Sequence, residues 1–183
     1  MEKTRKRIVQ TAIKAMAQNS KITMDEIAEL AGVGRATIYR HFKTRESLIR
    51  ELLLEAQAEF NGVVMPILNS KIPPKEKLAE AVKCLIPLGG TFQFLMDESL
   101  YVGICGVNEI YKEFKECWRS LIKELKSAGE LSPSLSETWV AYCLDSLIYT
   151  AWEAIYYGDI APNDATDLVL NTFLNGVADH PSN

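Results

Sequence analysis

The chain has 183 residues, 48% of them hydrophobic and 24% charged, which fits one ordinary domain or a small domain of about 50 residues joined to a larger one. That balance excludes the disordered and fibrous classes. The net charge of −4 is unevenly placed: residues 1–50 hold 11 Lys or Arg against 5 Asp or Glu, a net of +6, whereas residues 51–183 hold 9 against 19, a net of −10. A basic head on an acidic body suits a phosphate-bearing partner that meets the head alone.

Helical spacing recurs along the whole chain and clean strand alternation does not, so an all-α fold is predicted. Ile8, Val9, Ala12, Ile13 and Met16 form one face of a first helix, which Asn19 and Ser20 end. Thr23–Met24–Asp25–Glu26 has the form of a capping box and starts a second helix, which runs to about Ala31 because Gly32 supplies a positive φ. A short polar third helix is predicted over about Arg35 to Phe42. Thr44 then caps a fourth with Leu48, Ile49, Leu52, Ala56 and Phe60 on its apolar face, reaching about Asn61.

Pro66 and the Pro73–Pro74 pair read as the next breaks, with a helix from about Pro74 to Gly89–Gly90. The region from Phe92 to Val107 is poorly patterned. A strongly amphipathic helix follows, lined by Ile110, Phe114, Cys117, Trp118, Leu121, Ile122 and Leu125 and stopped at Gly129. Leu135 to Tyr157 differs in kind: 16 of its 23 residues are apolar or aromatic, so this helix must be covered on more than one side, and a second subunit is the natural cover. A last helix opens at Pro162–Asn163.

Cys84, Cys105, Cys117 and Cys143 lie too far apart for a paired metal or redox motif and read as small core residues. No cofactor and no metal site is expected, since the two histidines, His41 and His180, bring no ligand cluster with them. The N-terminus is polar and the longest low-charge stretch is short and broken, so the expectation is a cytoplasmic protein with no membrane partner.

A helix, a tight turn at Gly32 and a second short helix make a helix-turn-helix, with Ile27, Val33 and Ile38 filling its small core and Ala28 at the close crossing. The run IAELAGVGRATIYRHFKTRESL, from Ile27 to Leu48, closely resembles the DNA-binding signature of the TetR family of bacterial transcriptional regulators. The resemblance covers about the first 50 residues and implies a three-helix DNA-binding domain at 1–48 and a larger ligand-sensing and dimerising helical domain at 49–183, about nine helices in all. It also implies a homodimer built through the last two helices, which binds a palindromic double-stranded operator and is released by a small-molecule effector.

Position by position, the resemblance places Arg35, Ala36 and Thr37 at the major groove, and Tyr39, His41, Lys43 and Arg45 at the DNA backbone. Arg35 is the expected base reader, because a guanidinium donates bidentately to guanine O6 and N7. Thr23, with the free N–H groups of its helix, is a further expected phosphate contact. Gly34 departs from the pattern, standing where Ser or Thr usually caps the recognition helix.

Twelve of the 16 aromatic residues lie between Phe92 and Tyr157. With Phe60, the residues Phe92, Phe94, Tyr101, Tyr111, Trp118 and Tyr149 are candidates for an apolar effector pocket, against the plainer reading of core and subunit interface. Gln93, Asn108, Asp145 and Glu153 are polar candidates beside them. No Gly-rich phosphate loop, based nucleophile or carboxylate pair at metal spacing is present, so no enzyme is expected. A DNA-binding protein without an effector is the alternative.

Overall fold

The computed structural model describes residues 2–90, 92 and 107–177, with the side chains of residues 107–111, 114 and 177 excepted. All regular structure among the described residues is helical. Among the described residues eight complete α-helices follow in order: α1 (Glu2–Gln18), α2 (Met24–Leu30), α3 (Arg35–His41), α4 (Arg45–Leu68), α5 (Pro74–Leu85), α6 (Val107–Ser127), α7 (Glu137–Tyr157) and α8 (Pro162–Val177), with a 3₁₀ turn at Ile86–Leu88 after α5. None of them is long and apolar enough to cross a membrane.

The chain folds as two compact units. The first takes the residues up to Glu59 together with Gly90, Phe92 and Val107, and the second takes Phe60–Gly89 with the described residues from Asn108 on. Helix α4 supplies residues to both.

In the first unit, α1 buries Ile8, Val9, Ala12, Ala15 and Met16, and α2 and α3 bury Ile27, Ala28 and Ile38. These side chains recur at three- and four-residue intervals, which gathers them on one face of each helix. The Thr23 capping box forms as expected: the Glu26 N–H donates to Thr23 Oγ1 at 3.2 Å, and the Thr23 N–H returns to Glu26 Oε2 at 2.7 Å. Gly32 sits at φ +62°, and the N–H groups of Gly32 and Val33 donate to the carbonyls of Glu29 and Ala28, closing the end of α2 and aiming the chain into α3. Arg5 of α1 pairs with Glu51 of α4, and its guanidinium carbon lies 5.2 Å from the Phe42 ring centroid.

In the second unit, α7 buries Val140, Ala141, Leu144, Ile148, Ala151 and Trp152 and packs along α8, whose Ala165, Val169 and Phe173 are buried. Helix α5 packs on α8, and Lys77 of α5, only 7% exposed, pairs with Glu124 of α6 at 2.7 Å.

Two expectations are corrected. Pro66 does not break the chain: α4 runs 24 residues, through Pro66 to Leu68. The proline removes one hydrogen bond and crowds the carbonyl of Gly62, one turn earlier. Both residues are exposed, so water can serve that carbonyl. The cysteines are not core residues either, since Cys84, Cys117 and Cys143 are free and half-buried; Cys105 lies outside the described residues.

Candidate nucleic-acid interface

The head's candidate contacts gather on the turn and helix around α3. Arg35 and Ala36 occupy its first turn and are exposed, Thr37 is half-buried beside them, and Ile38 on the opposite face is fully buried. One turn further on, Tyr39 is 38% exposed. Local sequence accounts for this: a seven-residue helix with one buried side chain, Ile38, must leave most of its surface outward. Gly34 is the N-cap at φ −70° and makes no side-chain cap hydrogen bond.

The Arg35 side chain is 76% exposed and has two neighbours. Its Nε stands 3.2 Å from Asp25 Oδ1, and its guanidinium carbon lies 5.8 Å from the Tyr39 ring centroid. Lys43 is exposed just past the end of α3, and His41 is half-buried, with its ring 6.4 Å from that of Phe42 and its Nε2 enclosed without a hydrogen-bond partner among the described residues.

Thr23 and Arg45 are the more committed of the candidates. The Thr23 hydroxyl donates to Glu26 Oε2 at 2.7 Å, and these bonds from Thr23, the backbone one foremost, hold the Glu26 carboxyl below its usual range. Arg45, half-buried, donates to the Ser20 carbonyl at 2.6 Å and to that of Ile22, tying the start of α4 to the link between α1 and α2. That second role of Arg45 is not legible in the sequence, because a guanidinium bound to backbone carbonyls leaves no mark in side-chain periodicity.

In the second unit, Phe60 and Trp118 are buried and Tyr149 is half-buried. Phe92, which belongs to the first unit, is also buried. Gln93, Phe94 and Tyr101 lie outside the described residues, as do the side chains of Asn108 and Tyr111. Two clefts here are lined by other residues. One, of about 320 Å³, lies between α6 and α7 and includes Lys112, Lys115, Arg119, Tyr142 and Asp145. Burial pushes the Asp145 carboxyl above its ordinary value and the nearby Lys115 charge opposes the shift, while Lys115 Nζ reaches the Tyr142 hydroxyl at 3.1 Å. The other, of about 300 Å³, lies between the end of α4 and α6, with Met65, Leu68, Cys117 and Leu121 among its walls. Burial first, and then the Glu113 charge, push the Cys117 thiol up, which makes it a poor nucleophile.

Residues 8–52 match the family model of the bacterial regulatory proteins of the tetR family. The head thus carries the DNA-binding domain of the TetR family. Over 55 residues it is 42% identical to a probable acrEF/envCD operon repressor of Escherichia coli, a match covering 29% of this chain and 25% of that protein. The transcriptional repressor LfrR of Mycolicibacterium smegmatis is 23% identical over 180 residues, 98% of this chain and 93% of the repressor. The crystal structure of LfrR in complex with proflavine superposes with a TM-score of 0.78 at 22% identity over 98% of both chains. That of FadR from Bacillus subtilis in complex with stearoyl-CoA gives 0.77 at 22% identity, over 93% of this chain and 97% of FadR. Helices α2 and α3, both within the matched residues, are thus the helix-turn-helix of a TetR-type DNA-binding domain.

Proposed function

We propose that this chain is an effector-released repressor of the TetR family: a homodimer, joined through α7 and α8, that holds a palindromic operator until a small apolar or aromatic molecule binds its body. The observation that carries the DNA-binding part is the exposed first turn of α3, Arg35 and Ala36, on a head with a net charge of +6 over residues 1–50. Recognition helices of this motif read base edges through their N-terminal residues. Arg35 is the base reader, Ala36 and Thr37 touch the groove beside it, and Tyr39, His41 and Lys43 hold phosphates.

Thr23 donates its hydroxyl to a phosphate only by turning it away from Glu26, whereas Arg45, anchored through its terminal nitrogens on the Ser20 and Ile22 carbonyls, carries five N–H groups and meets a phosphate without giving up those bonds. Functionally, residues 1–48 are the DNA-binding domain and residues 49–183 the sensing and dimerising domain, and α4 runs through that boundary without interruption. The protein acts in the cytoplasm. An apolar or aromatic effector draws support from the aromatic content of the body and from the LfrR and FadR crystals, which hold proflavine and stearoyl-CoA.

The test couples the two halves. A preferred duplex is selected from a randomised library, and effectors are found by thermal shift among apolar and aromatic compounds. The effector is then titrated with and without that duplex. By linkage, DNA must weaken effector binding by the factor that the effector weakens DNA binding, typically about 5- to 150-fold. Equal affinities with and without DNA would leave a DNA-binding protein with no switch.

A further inference from the structure

Arg35 and Asp25 form a surface pair, their side chains 76% and 45% exposed, and such a pair adds little to folding stability. Its geometry matters in another way. A guanidinium carries five N–H groups, one on Nε and four on the two terminal nitrogens. The Asp25 contact is made at Nε, 3.2 Å away, and so does not occupy the terminal fork. Tyr39, one turn along α3, presents its ring 5.8 Å from the same guanidinium carbon. That terminal fork is the part of arginine whose spacing matches guanine O6 and N7.

We propose that Asp25 is a specificity-determining residue: held at Nε by Asp25 and backed by the Tyr39 ring, Arg35 presents its terminal nitrogens to the base edge already oriented. The inference rests on Arg35 being the base reader. Asp25 is then a positioning residue, contributing discrimination although its own carboxylate repels phosphate. An unrestrained arginine on an exposed helix samples many rotamers and finds phosphates as readily as bases, so orienting it beforehand favours the base contact over the sequence-blind one.

Replacing Asp25 by Asn therefore has two effects of opposite sign. Removing a negative charge beside the DNA tightens binding to every sequence. Loosening Arg35 lowers the preference for its base pair. A merely structural Asp25 gives neither pattern, because a disturbed head loses affinity for all DNA together.

The experiment uses the full chain and a duplex selected from a randomised library, with each single-base variant of that duplex and a random-sequence duplex as competitors. Wild type, Arg35→Ala, Asp25→Asn and the double variant are compared, with thermal melts as a control on folding. Arg35→Ala is expected to flatten preference at one base pair per half-site. Asp25→Asn is expected to lower discrimination at that same pair by about 3- to 10-fold, within the range for directly interacting side chains, while random-sequence binding tightens. With Ala at position 35, the Asn substitution still tightens random binding but no longer alters the preference. If Arg35→Ala flattens a preference that Asp25→Asn leaves at its wild-type value, Arg35 reads unaided and the inference alone fails. If Arg35→Ala leaves every preference intact, the base-reading assignment fails and takes the inference with it. If Asp25→Asn lowers the melting point and weakens all binding together, Asp25 is structural and the inference is overturned.

Discussion

Two glycines of the head, two residues apart, are there for opposite reasons. Gly32 holds φ +62°, and a Cβ built on it would meet nothing within 4 Å. The cost of Gly32→Ala is therefore backbone strain alone, about 1 to 2 kcal/mol for an L-residue in the left-handed region. Gly34 also has open space around a Cβ, but at φ −70° it is an N-cap in ordinary extended backbone without a side chain to serve α3. Gly34→Ser supplies the missing acceptor and narrows the unfolded ensemble, so it should stabilise the chain by roughly 0.5 to 1 kcal/mol. Urea unfolding followed by circular dichroism reads both. A Gly34→Ser variant less stable than wild type would show that the turn needs more freedom at position 34 than its φ requires.

At the level of elements, the parts legible in the sequence were those specified by neighbouring residues. The capping box needs only Thr23 and Glu26, three apart, and the end of α2 needs only Gly32, so local sequence alone specifies the helix-turn-helix. Pro66 predicts an early end to α4 because a proline ordinarily ends a helix; the exposure of Gly62 and Pro66 that lets it continue is a tertiary property. The effector pocket was the least legible. Aromatic content does not say which way a ring faces, and Trp118 is buried while Trp139 is 62% exposed.

The end of α5 was equally hidden. Trp152 of α7 donates its indole N–H to the Leu85 carbonyl at 3.1 Å, which serves a group that the 3₁₀ turn leaves without its helical partner. The ring fits there because residue 89 has no side chain: a Cβ on Gly89 would lie 2.2 Å from Trp152 Cδ1. Gly89→Ala should thus cost about 1 to 3 kcal/mol or more by overpacking. Trp152→Phe should cost a similar amount, by removing the indole hydrogen bond to the Leu85 carbonyl and leaving a gap beside it. In a Trp152→Ala background the Gly89→Ala cost should largely vanish. A cost that persists there would mean that the clash is not with the indole.

The whole molecule poses the question of what covers α7 and α8. Trp139, Tyr142, Tyr156 and Tyr157 on α7 and Leu168 on α8 are between 47% and 68% exposed, on two helices that pack along each other. Large aromatic side chains left outward at this density are interface material, and two such helices meeting their copies across a two-fold axis make a four-helix packing. We therefore expect the chain to sediment as a dimer at micromolar concentration. Because a two-fold interface repeats every change, Leu168→Arg places two new charges in it. Since Leu168 is 47% exposed within one chain, the substitution should shift sedimentation toward monomer while the helical content of the chain is kept. Salt adds a second signature. Residues 51–183 carry a net charge of −10, so two bodies repel one another and added salt should favour their association until screening is complete. The head binds phosphate by displacing counterions, so added salt must weaken DNA binding, with log K falling by about 0.9 per phosphate contact for each tenfold rise in salt. Opposite salt responses in the two assays would assign association to the acidic body and DNA binding to the basic head. A wild-type monomer at micromolar concentration would defeat the dimer, and a Leu168→Arg variant that stays dimeric would move the interface away from α8.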